Sequence, residues 1–318
     1  MRRVSISALI VSIVASCAVF AQDEPASVVH AEILPLATQS LLLDIFAMEE
    51  GGFVAVGERG HVVLSPDGIE WQQAESVPTR STLTTVTGSG GRLWAAGHDS
   101  IIITSRDGGM TWTRQYFDPE RRQPIMDLHF FDEQRGMAIG AYGLALLTDD
   151  GGRNWEDGVV NEEEWHNNAL TMIDEVLLVA AEAGMSYRSP DNGNNWEPIE
   201  MPYPGSMFGA IADSDQCFVV FGLRGNVQES CDLGENWDEL DSGTESSIMG
   251  GIHQDGLSIM VGKSGLILLR DSNGEFQVSS HSSGVDFSSV AHMGARRFIL
   301  VGEDGIHHWP EVDMELSP

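Results

Sequence analysis

The stretch SRDGGMTW at residues 105–112 decides the fold, because similar stretches recur along the 318-residue chain. They read SPDGIEW at 65–71, TDDGGRNW at 148–155, SPDNGNNW at 189–196 and SCDLGENW at 230–237. An aspartate in such a turn accepts hydrogen bonds from nearby backbone N–H groups, and glycine supplies the positive-φ conformations. Tryptophan fills the gap between neighbouring sheets. We therefore predict a structural role for Asp67, Asp107, Asp150, Asp191, Asp232, Trp71, Trp112, Trp155, Trp196 and Trp237.

A second turn, usually bounded by glycines, precedes each of these stretches and shows how often the unit repeats. Its first position recurs every 40 to 43 residues, at Gly57, Gly97, Gly140, Ala181, Gly222, Gly262 and Gly302. Each copy contains a hairpin, with a further strand-like run on either side. The hairpins lie near 53–71, 93–112, 136–155, 177–196, 218–237, 258–276 and 298–310. Four strands per repeat at this period predict an all-β, seven-bladed β-propeller of four-stranded antiparallel blades.

The last two copies depart from this pattern. In the sixth copy, RDSNGEF at 270–276 has lost the pattern, with Phe276 in the tryptophan position. The seventh copy stops after its third strand, at IHHWP. Residues 27–37, SVVHAEILPLA, are well placed to supply the missing outer strand. We therefore predict that an N-terminal strand closes the last blade, because closure removes the free edges of an open ring of sheets.

The charge of the chain limits its partners. There are 17 basic and 48 acidic residues, which give a formal net charge of -31, and the single lysine is Lys263. Such a surface repels nucleic acid and anionic lipid headgroups, because phosphate contacts need clustered Lys and Arg. The acidity suits solubility or attraction to a basic partner, and we expect no nucleic-acid partner.

The first residues predict export. A basic start is followed by an apolar run and by small residues before an acidic segment, so we predict a signal peptide at 1–21 and one propeller domain at 22–318. VASC at 14–17 resembles a lipoprotein box, which would instead leave Cys17 lipidated. An uncleaved anchor, at the short end of spanning length, is a third interpretation. Each interpretation exports the domain to a periplasm or an equivalent lumen.

Two cysteines remain beyond the signal peptide, Cys217 and Cys231. They flank a hairpin whose turn would bring them almost opposite each other, and an exported chain meets an oxidising compartment. A cross-strand disulfide is one interpretation, and two free thiols are the other. Neither cysteine has metal-ligand spacing to a second pair, and we expect no metal and no cofactor.

The turns resemble the Asp-box, or bacterial neuraminidase, repeat. The fuller pattern VGxxGxIxxSxDGGxxW resembles the photosystem II stability and assembly factor family of plants and cyanobacteria, from about residue 27 to the end of the chain. The resemblance implies an exported seven-bladed propeller without known catalysis that helps membrane-protein subunits assemble. Photosynthetic members are associated with a basic patch that binds nascent membrane subunits, whereas this chain is strongly acidic.

A binding site is expected on the face opposite the Asp-box turns, where loops vary while the ring holds them. The long connections at 113–127 and 156–169 lie on this face, as do the glycine-bounded turns. The alternatives are packing of Trp165 under its own loop and a solvated charged loop at 121–122. His307 and His308 alternate along a strand and so cannot point at one metal. The candidate partner-binding residues are Tyr142, Arg121, Arg122, Trp165, His166, Arg224 and Lys263.

Three classes of function fit these patterns. The first is a non-catalytic scaffold, expected to be a monomer, that docks on a membrane-protein complex or envelope protein through the loop face. The second is an accessory protein of an envelope transporter, or a propeller that binds a small ligand or sugar. The third is a sialidase-like glycoside hydrolase, which needs an arginine cluster, a tyrosine nucleophile and an acidic partner in one pocket. No spacing indicates that arrangement, so we do not expect an enzyme.

Overall fold

Seven antiparallel sheets follow one another along the chain in a computed structural model that describes residues 28–213 and 217–311. Six sheets have four strands in sequence order, and the seventh has three. The first strand of each blade packs against the first strands of both neighbouring blades, and the seventh blade meets the first. The predicted all-β, seven-bladed propeller is confirmed. The signal-peptide prediction, including Cys17, lies outside the described residues.

The strands of the first four blades are β1 Leu42–Ala47, β2 Phe53–Gly57, β3 Val62–Ser65 and β4 Gln72–Gln73; β5 Leu83–Ser89, β6 Arg92–Gly97, β7 Ile102–Ser105 and β8 Thr113–Tyr116; β9 Ile125–Phe130, β10 Gly136–Gly140, β11 Ala145–Thr148 and β12 Glu156–Asp157; and β13 Asn167–Ile173, β14 Val176–Ala181, β15 Met185–Ser189 and β16 Glu197–Glu200. Those of the last three are β17 Met207–Ala212, β18 Phe218–Gly222, β19 Val227–Ser230 and β20 Asp238–Leu240; β21 Ile248–Gln254, β22 Leu257–Gly262, β23 Leu266–Arg270 and β24 Phe276–Ser280; and β25 Phe287–Gly294, β26 Arg297–Gly302 and β27 Gly305–Trp309. Short 3₁₀ turns lie at Ala37–Gln39, Glu58–Gly60, His98–Ser100, Pro119–Arg121, Ala141–Gly143, Leu223–Gly225 and Lys263–Gly265. Within the described residues, no helix is both long and apolar enough to span a membrane.

The second strand of each blade is buried on both faces, which explains its continuous apolar sequence. All five residues of β2 and all five of β18 are buried. A strand that packs against another layer on both sides has no polar face, so its residues do not alternate between apolar and polar. The core accordingly lies between blades: Val54 and Val62 of the first blade pack with Trp112 of the second.

The seventh blade does not close as the sequence predicted. Residues 28–36 form no strand, and Ala37 begins a 3₁₀ turn. This segment lies along the first blade, where the Ala31 N–H donates to the Val77 carbonyl at 2.9 Å and the Leu34 N–H donates to Gln73 Oε1 at 2.9 Å. Because the first blade satisfies these backbone groups, the prediction that an N-terminal strand completes the last blade is wrong over residues 28–37.

The ring closes instead through side chains of the first and last blades. Ile299 and Val301 of β26 pack with Leu42 of β1 in one apolar cluster. Ser289 of β25 adds a polar contact, because its Oγ donates to Asp44 Oδ1 at 2.8 Å. Packing between blades therefore joins the two ends of the ring without an exchanged strand among the described residues.

The repeated glycine at the end of the second strand is required by a close approach of two backbones. A Cβ built on Gly57 would lie 2.1 Å from the carbonyl oxygen of Leu41, and Gly262 would meet the carbonyl of Ser247 at the same distance. Any side chain at these positions would push the first strand of the blade away from the turn. In six of the seven blades the glycine thus fixes where the turn sits on the loop face, whereas the fourth blade has Ala181 there.

Candidate functional site

The Asp-box turns use their own carboxylates. In the second blade, Ser105 Oγ donates to Asp107 Oδ1 at 2.7 Å, and the Thr111 N–H donates to the same oxygen at 3.0 Å. Trp112 Nε1 donates to the Gly109 carbonyl at 2.7 Å, which fixes the indole between blades. Since each polar group finds its partner inside the turn, these residues hold the turn and leave no group directed at a ligand.

The third blade shows the electrostatic result of this arrangement. Asn154 donates to Asp150 through its side chain at 2.6 Å and through its backbone N–H at 2.9 Å. These hydrogen bonds hold the pKa of Asp150 at about 2, because they favour the ionised form. Asp150 therefore stays charged across the physiological range.

The sixth blade keeps more of the turn than its sequence indicated. Asp271 Oδ1 accepts the N–H of Asn273 at 2.9 Å and the N–H of Glu275 at 3.1 Å, although the following aromatic residue is Phe276. The pattern is lost at the tryptophan but retained at the carboxylate. Its remaining signal was the spacing of five positions from Asp271 to Phe276, which matches the spacing from Asp107 to Trp112.

The loop face carries the second set of turns, and their middle residues share one conformation. Each has φ between 55° and 60°, in the left-handed region that non-glycine residues seldom adopt. A residue in this conformation directs its side chain away from the sheet, and the side chain differs from blade to blade. The seven residues are Arg59, Asp99, Tyr142, Ala183, Arg224, Ser264 and Asp304.

Tyr142 of the third blade is the most exposed aromatic residue on this face, with 56% of its surface accessible. Its ring lies edge to face with that of His166, with ring centroids 4.7 Å apart. Trp165, 38% exposed, is held beside it because the Gly143 N–H donates to the Trp165 carbonyl at 3.0 Å. The structure thus brings three of the predicted residues together. We call these residues and the three glutamates preceding them the Tyr142 surface: Tyr142, Glu162, Glu163, Glu164, Trp165 and His166.

Arg121 supports this surface from below. Its guanidinium donates to Gln123 Oε1 at 2.9 Å, to the Tyr116 hydroxyl at 3.0 Å and to a carboxylate oxygen of Asp157. Gln123 in turn donates to the Tyr142 carbonyl at 2.8 Å. With its side chain only 23% exposed, Arg121 positions the loops and offers little surface to a partner.

The other predicted cations lie elsewhere on the same face. Arg122 is exposed beside Arg121. Arg224 is exposed on the fifth blade, and Lys263 of the sixth blade pairs with Asp286 at 2.7 Å. The structure therefore does not bring Arg224 and Lys263 to the third blade, where the aromatic residues are.

The comparisons with known proteins decide the family. The sequence profile of the family described as "Photosynthesis system II assembly factor YCF48" matches residues 115–297, more than half of the chain. The chain belongs to this family. It is 26% identical over 133 residues to the photosystem II assembly lipoprotein Ycf48 of Synechococcus sp. (strain CC9902), a match that covers 40% of each protein.

Solved structures agree on the fold of this YCF48 family member. A structure of YCF48 bound to D1 peptide has a TM-score of 0.69 and 19% identity, over 86% of this chain and 94% of that one. YCF48 from Cyanidioschyzon merolae has a TM-score of 0.67 and 18% identity, over 87% and 97%. The WD40 propeller domain of Doa1 scores 0.71 at 14% identity, over 88% and 95%, so the likeness shows the propeller architecture alone.

The YCF48-type hairpin of the fifth blade carries a disulfide. Cys217 and Cys231 are bonded with their Cα atoms 4.0 Å apart, across the end of β18 and β19. Within residues 28–213 and 217–311, the one acidic, histidine or cysteine grouping with metal-ligand spacing is Cys217, Glu229 and Cys231. Because both sulfurs are in the disulfide, they are not thiolate ligands in this state.

Sequence reasoning missed a buried polar network between the fifth and sixth blades. Asp213 accepts from His253 Nδ1 at 2.7 Å and pairs with Arg270. Ser258 Oγ lies 2.9 Å from the same His253 nitrogen, but Ser258 is only 1% exposed. A hydrolytic triad needs an accessible serine and uses opposite nitrogens of the histidine. The network is therefore structural. No sequence motif predicts it, because its residues come from three strands and from the end of a fourth.

Sequence reasoning also missed two carboxylates on the first strands of the YCF48 ring. Asp44 Oδ2 accepts the N–H of Val86 in the next blade at 2.8 Å, and Asp127 Oδ2 accepts the N–H of Leu170 at 2.7 Å. Burial is the main cause that raises the pKa of Asp44 to about 6, despite these hydrogen bonds. Both residues satisfy N–H groups on the inner edge of a neighbouring blade.

Proposed function

We propose that this chain is an exported, non-catalytic assembly factor that docks on a membrane-protein complex through the Tyr142 surface. The observation that carries the proposal is the exposure of Tyr142, at 56%, and of Trp165, at 38%, side by side on the loop face. Aromatic residues of this size are the side chains that most often anchor protein interfaces. Membership of the YCF48 family supports the style of function, and one relative was solved bound to D1 peptide.

The backbone that presents these aromatic residues is already ordered. The Trp165 N–H donates to Asn161 Oδ1 at 3.0 Å, and the His166 N–H donates to Glu182 Oε1 at 2.9 Å. Gln123 holds the Tyr142 carbonyl from the other side. A surface fixed before binding loses little conformational entropy on association, which favours docking of a larger partner.

A non-catalytic role fits the chemistry of the described residues. The Asp-box carboxylates are occupied within their own turns, as for Asp150. The buried Ser258 is not accessible to a substrate. On the Tyr142 surface, His166 lies near Glu182, its Nδ1 3.7 Å from Oε2, and no serine, threonine or cysteine adjoins the pair.

Export to a periplasm or an equivalent lumen is part of the proposal. It rests on the signal-like sequence at 1–21 and on the disulfide at Cys217. The Synechococcus relative is named a lipoprotein, which supports the alternative in which Cys17 carries a lipid anchor. Mass spectrometry of the mature N-terminus separates cleavage after Ala21 from lipidation at Cys17.

Affinity capture from detergent-solubilised membranes of the source organism tests the docking proposal. We expect the tagged wild type to recover a membrane-protein complex that the Tyr142→Ala, Trp165→Ala double variant fails to recover. The matched control is Ile69→Ala, which removes an apolar side chain, 52% exposed, from an Asp-box turn. Thermal unfolding of each variant checks the fold. Equal recovery by all three proteins would contradict the proposal.

A further inference from the structure

We infer that the partner presents a Lys- and Arg-rich extended segment to the Tyr142 surface, a conclusion that rests on the proposed docking function. Glu162, Glu163 and Glu164 are consecutive and exposed, and they immediately precede Trp165. In the part of the chain that the structure describes, none of the three carboxylates pairs with a cation of the protein. The surface therefore offers three uncompensated negative charges beside an exposed indole.

A buried phenol without a hydrogen-bond partner among the described residues lies near one of these glutamates, Glu163. Tyr187 is 2% exposed, and its hydroxyl has no hydrogen-bond partner among the described residues. Burial, together with the nearby charge of Glu163, raises the pKa of Tyr187 to about 12. Glu163 thus lies close enough to act on the phenol without accepting a hydrogen bond from it. The Glu163 carboxylate is therefore not used by the phenol and remains available to a donor of the partner.

Among the described residues, Arg121 and Arg122 form no ion pair with the three glutamates. The guanidinium of Arg121 is committed to Asp157, Gln123 and Tyr116. Arg122 is exposed on the 113–127 connection, and its positive charge would repel a basic partner. The three glutamates therefore give the Tyr142 surface a negative charge. Of Arg121 and Arg122, only Arg122 offers an exposed positive charge.

The aromatic rings add selectivity for basic side chains. An Arg or Lys head group over the face of a Trp or Tyr ring gains about 0.5–1 kcal/mol at an exposed site. A segment with alternating or clustered basic residues can place one charge over an exposed ring and the next beside a carboxylate. The net charge of -31 also steers a cationic segment towards the protein from a distance.

Peptide titrations with the purified propeller test this inference. The probes are two fluorescent 15-residue peptides, one built from Lys, Arg, Gly and Ser and the other with Glu at every basic position. Anisotropy is measured at low and at physiological salt, because long-range attraction is screened and close contacts persist better. We expect binding of the basic peptide only, with a loss of about two- to fivefold in Tyr142→Ala, as the loss of one cation–π contact predicts.

Two triple variants with the same change in net charge separate a site from general attraction. The site variant is Glu162→Gln, Glu163→Gln, Glu164→Gln. The control is Glu200→Gln, Asp238→Asn, Glu239→Gln, which neutralises exposed carboxylates on β16 and β20. We expect at least about a tenfold loss for the site variant and less than about threefold for the control. Equal losses for both triple variants would overturn the inference.

Three outcomes separate this inference from the docking proposal. If the acidic peptide binds and Arg122→Gln abolishes its binding, the sign of the partner is wrong while the docking surface stands. If neither peptide binds while capture of a complex still depends on Tyr142 and Trp165, the inference of a basic segment is again wrong and docking is again supported. If the basic peptide binds with full dependence on the three glutamates but capture ignores the aromatic residues, the site is supported and the assembly role is not.

Discussion

The Asp-box face and the loop face of this propeller are built from turns of similar size, but their side chains serve opposite purposes. On the Asp-box face, the side chains of Ser105, Asp107 and Trp112 bond to atoms of their own turn. On the loop face, glycines and backbone contacts fix the turn, as at Gly57, so the turn does not need its middle side chain, although Asp99 accepts a hydrogen bond from Ser81. Tyr142 is such a side chain. Repetition between blades thus marks residues that hold the fold, and difference between blades marks residues available for binding.

The sharpest way to break this division is to remove the most buried tryptophan of the Asp-box face. Trp112 is 3% exposed and packs in the cluster between the first two blades. Trp112→Ala should lower the free energy of unfolding by about 3–5 kcal/mol through the gap that it opens. Thermal or denaturant unfolding measures the loss. Trp237→Ala, at a half-buried position, is the control and should cost less. An unchanged melting temperature for Trp112→Ala would contradict the assignment of this residue to the core between blades.

A second test compares the turn aspartates with Asp44 on the first strand of the ring. A pKa raised from 3.8 to about 6 means that the folded state holds a proton which the unfolded state releases. The contribution of this group to stability is therefore largest below pH 4 and is lost as the pH rises through 6. Asp44→Asn should remove this dependence and raise stability at pH 8 by at most about 3 kcal/mol. Urea unfolding between pH 4 and pH 8 measures both effects.

The amide that Asp44→Asn introduces keeps an acceptor for the Val86 N–H and gains a donor towards Ser289, but its nitrogen cannot accept the Ile45 N–H that Asp44 Oδ1 accepts at 2.8 Å, so the gain at pH 8 stays below the upper limit. Asp127→Asn is the companion variant, since burial also raises the pKa of Asp127. A pH profile of Asp44→Asn identical to that of the wild type would show that Asp44 titrates near its ordinary pKa.

The smallest effect is expected at a single Asp-box carboxylate. The pKa of Asp150 is held at about 2, so its contribution is present above its ordinary pKa and is lost as the pH falls towards 2. Asp150→Asn should lower the melting temperature by only about 2–4 °C, because the amide oxygen still accepts hydrogen bonds. Capture of the partner complex should be unchanged. Loss of capture with full stability would assign a binding role to the Asp-box face.

The repeat pattern predicted the fold because glycine, aspartate and tryptophan act within a few residues of their own position. The closing strand shows where such local reasoning fails. Residues 28–36 look like a strand, but contacts with Gln73 and Val77 hold them along the first blade. Nothing near them in the sequence announces those partners. Whether this segment lies along the first blade or the seventh depends on contacts with residues about forty positions away, such as Gln73 and Val77.

The sequence predicted which face carries the candidate site, but it did not predict the contacts within the site. The length and composition of the two connections were enough to place Trp165 and His166 on the loop face, and the turn placed Tyr142 on the same face, but their contact is known only from the structure. The role of Arg121 was not predictable, because Asp157, which binds its guanidinium, belongs to the following connection. Asp44 gave no signal, since one aspartate in an apolar strand has no motif.

The ring of left-handed turn residues makes this fold a natural display scaffold. Seven side chains lie at seven equivalent backbone positions, and the glycine contact that sets six of these positions does not involve them. Single substitutions at these positions can therefore change the binding surface without changing the packing between blades. A protein engineer can therefore vary these seven places, together with the inter-blade connections beside them, while the core between blades is kept.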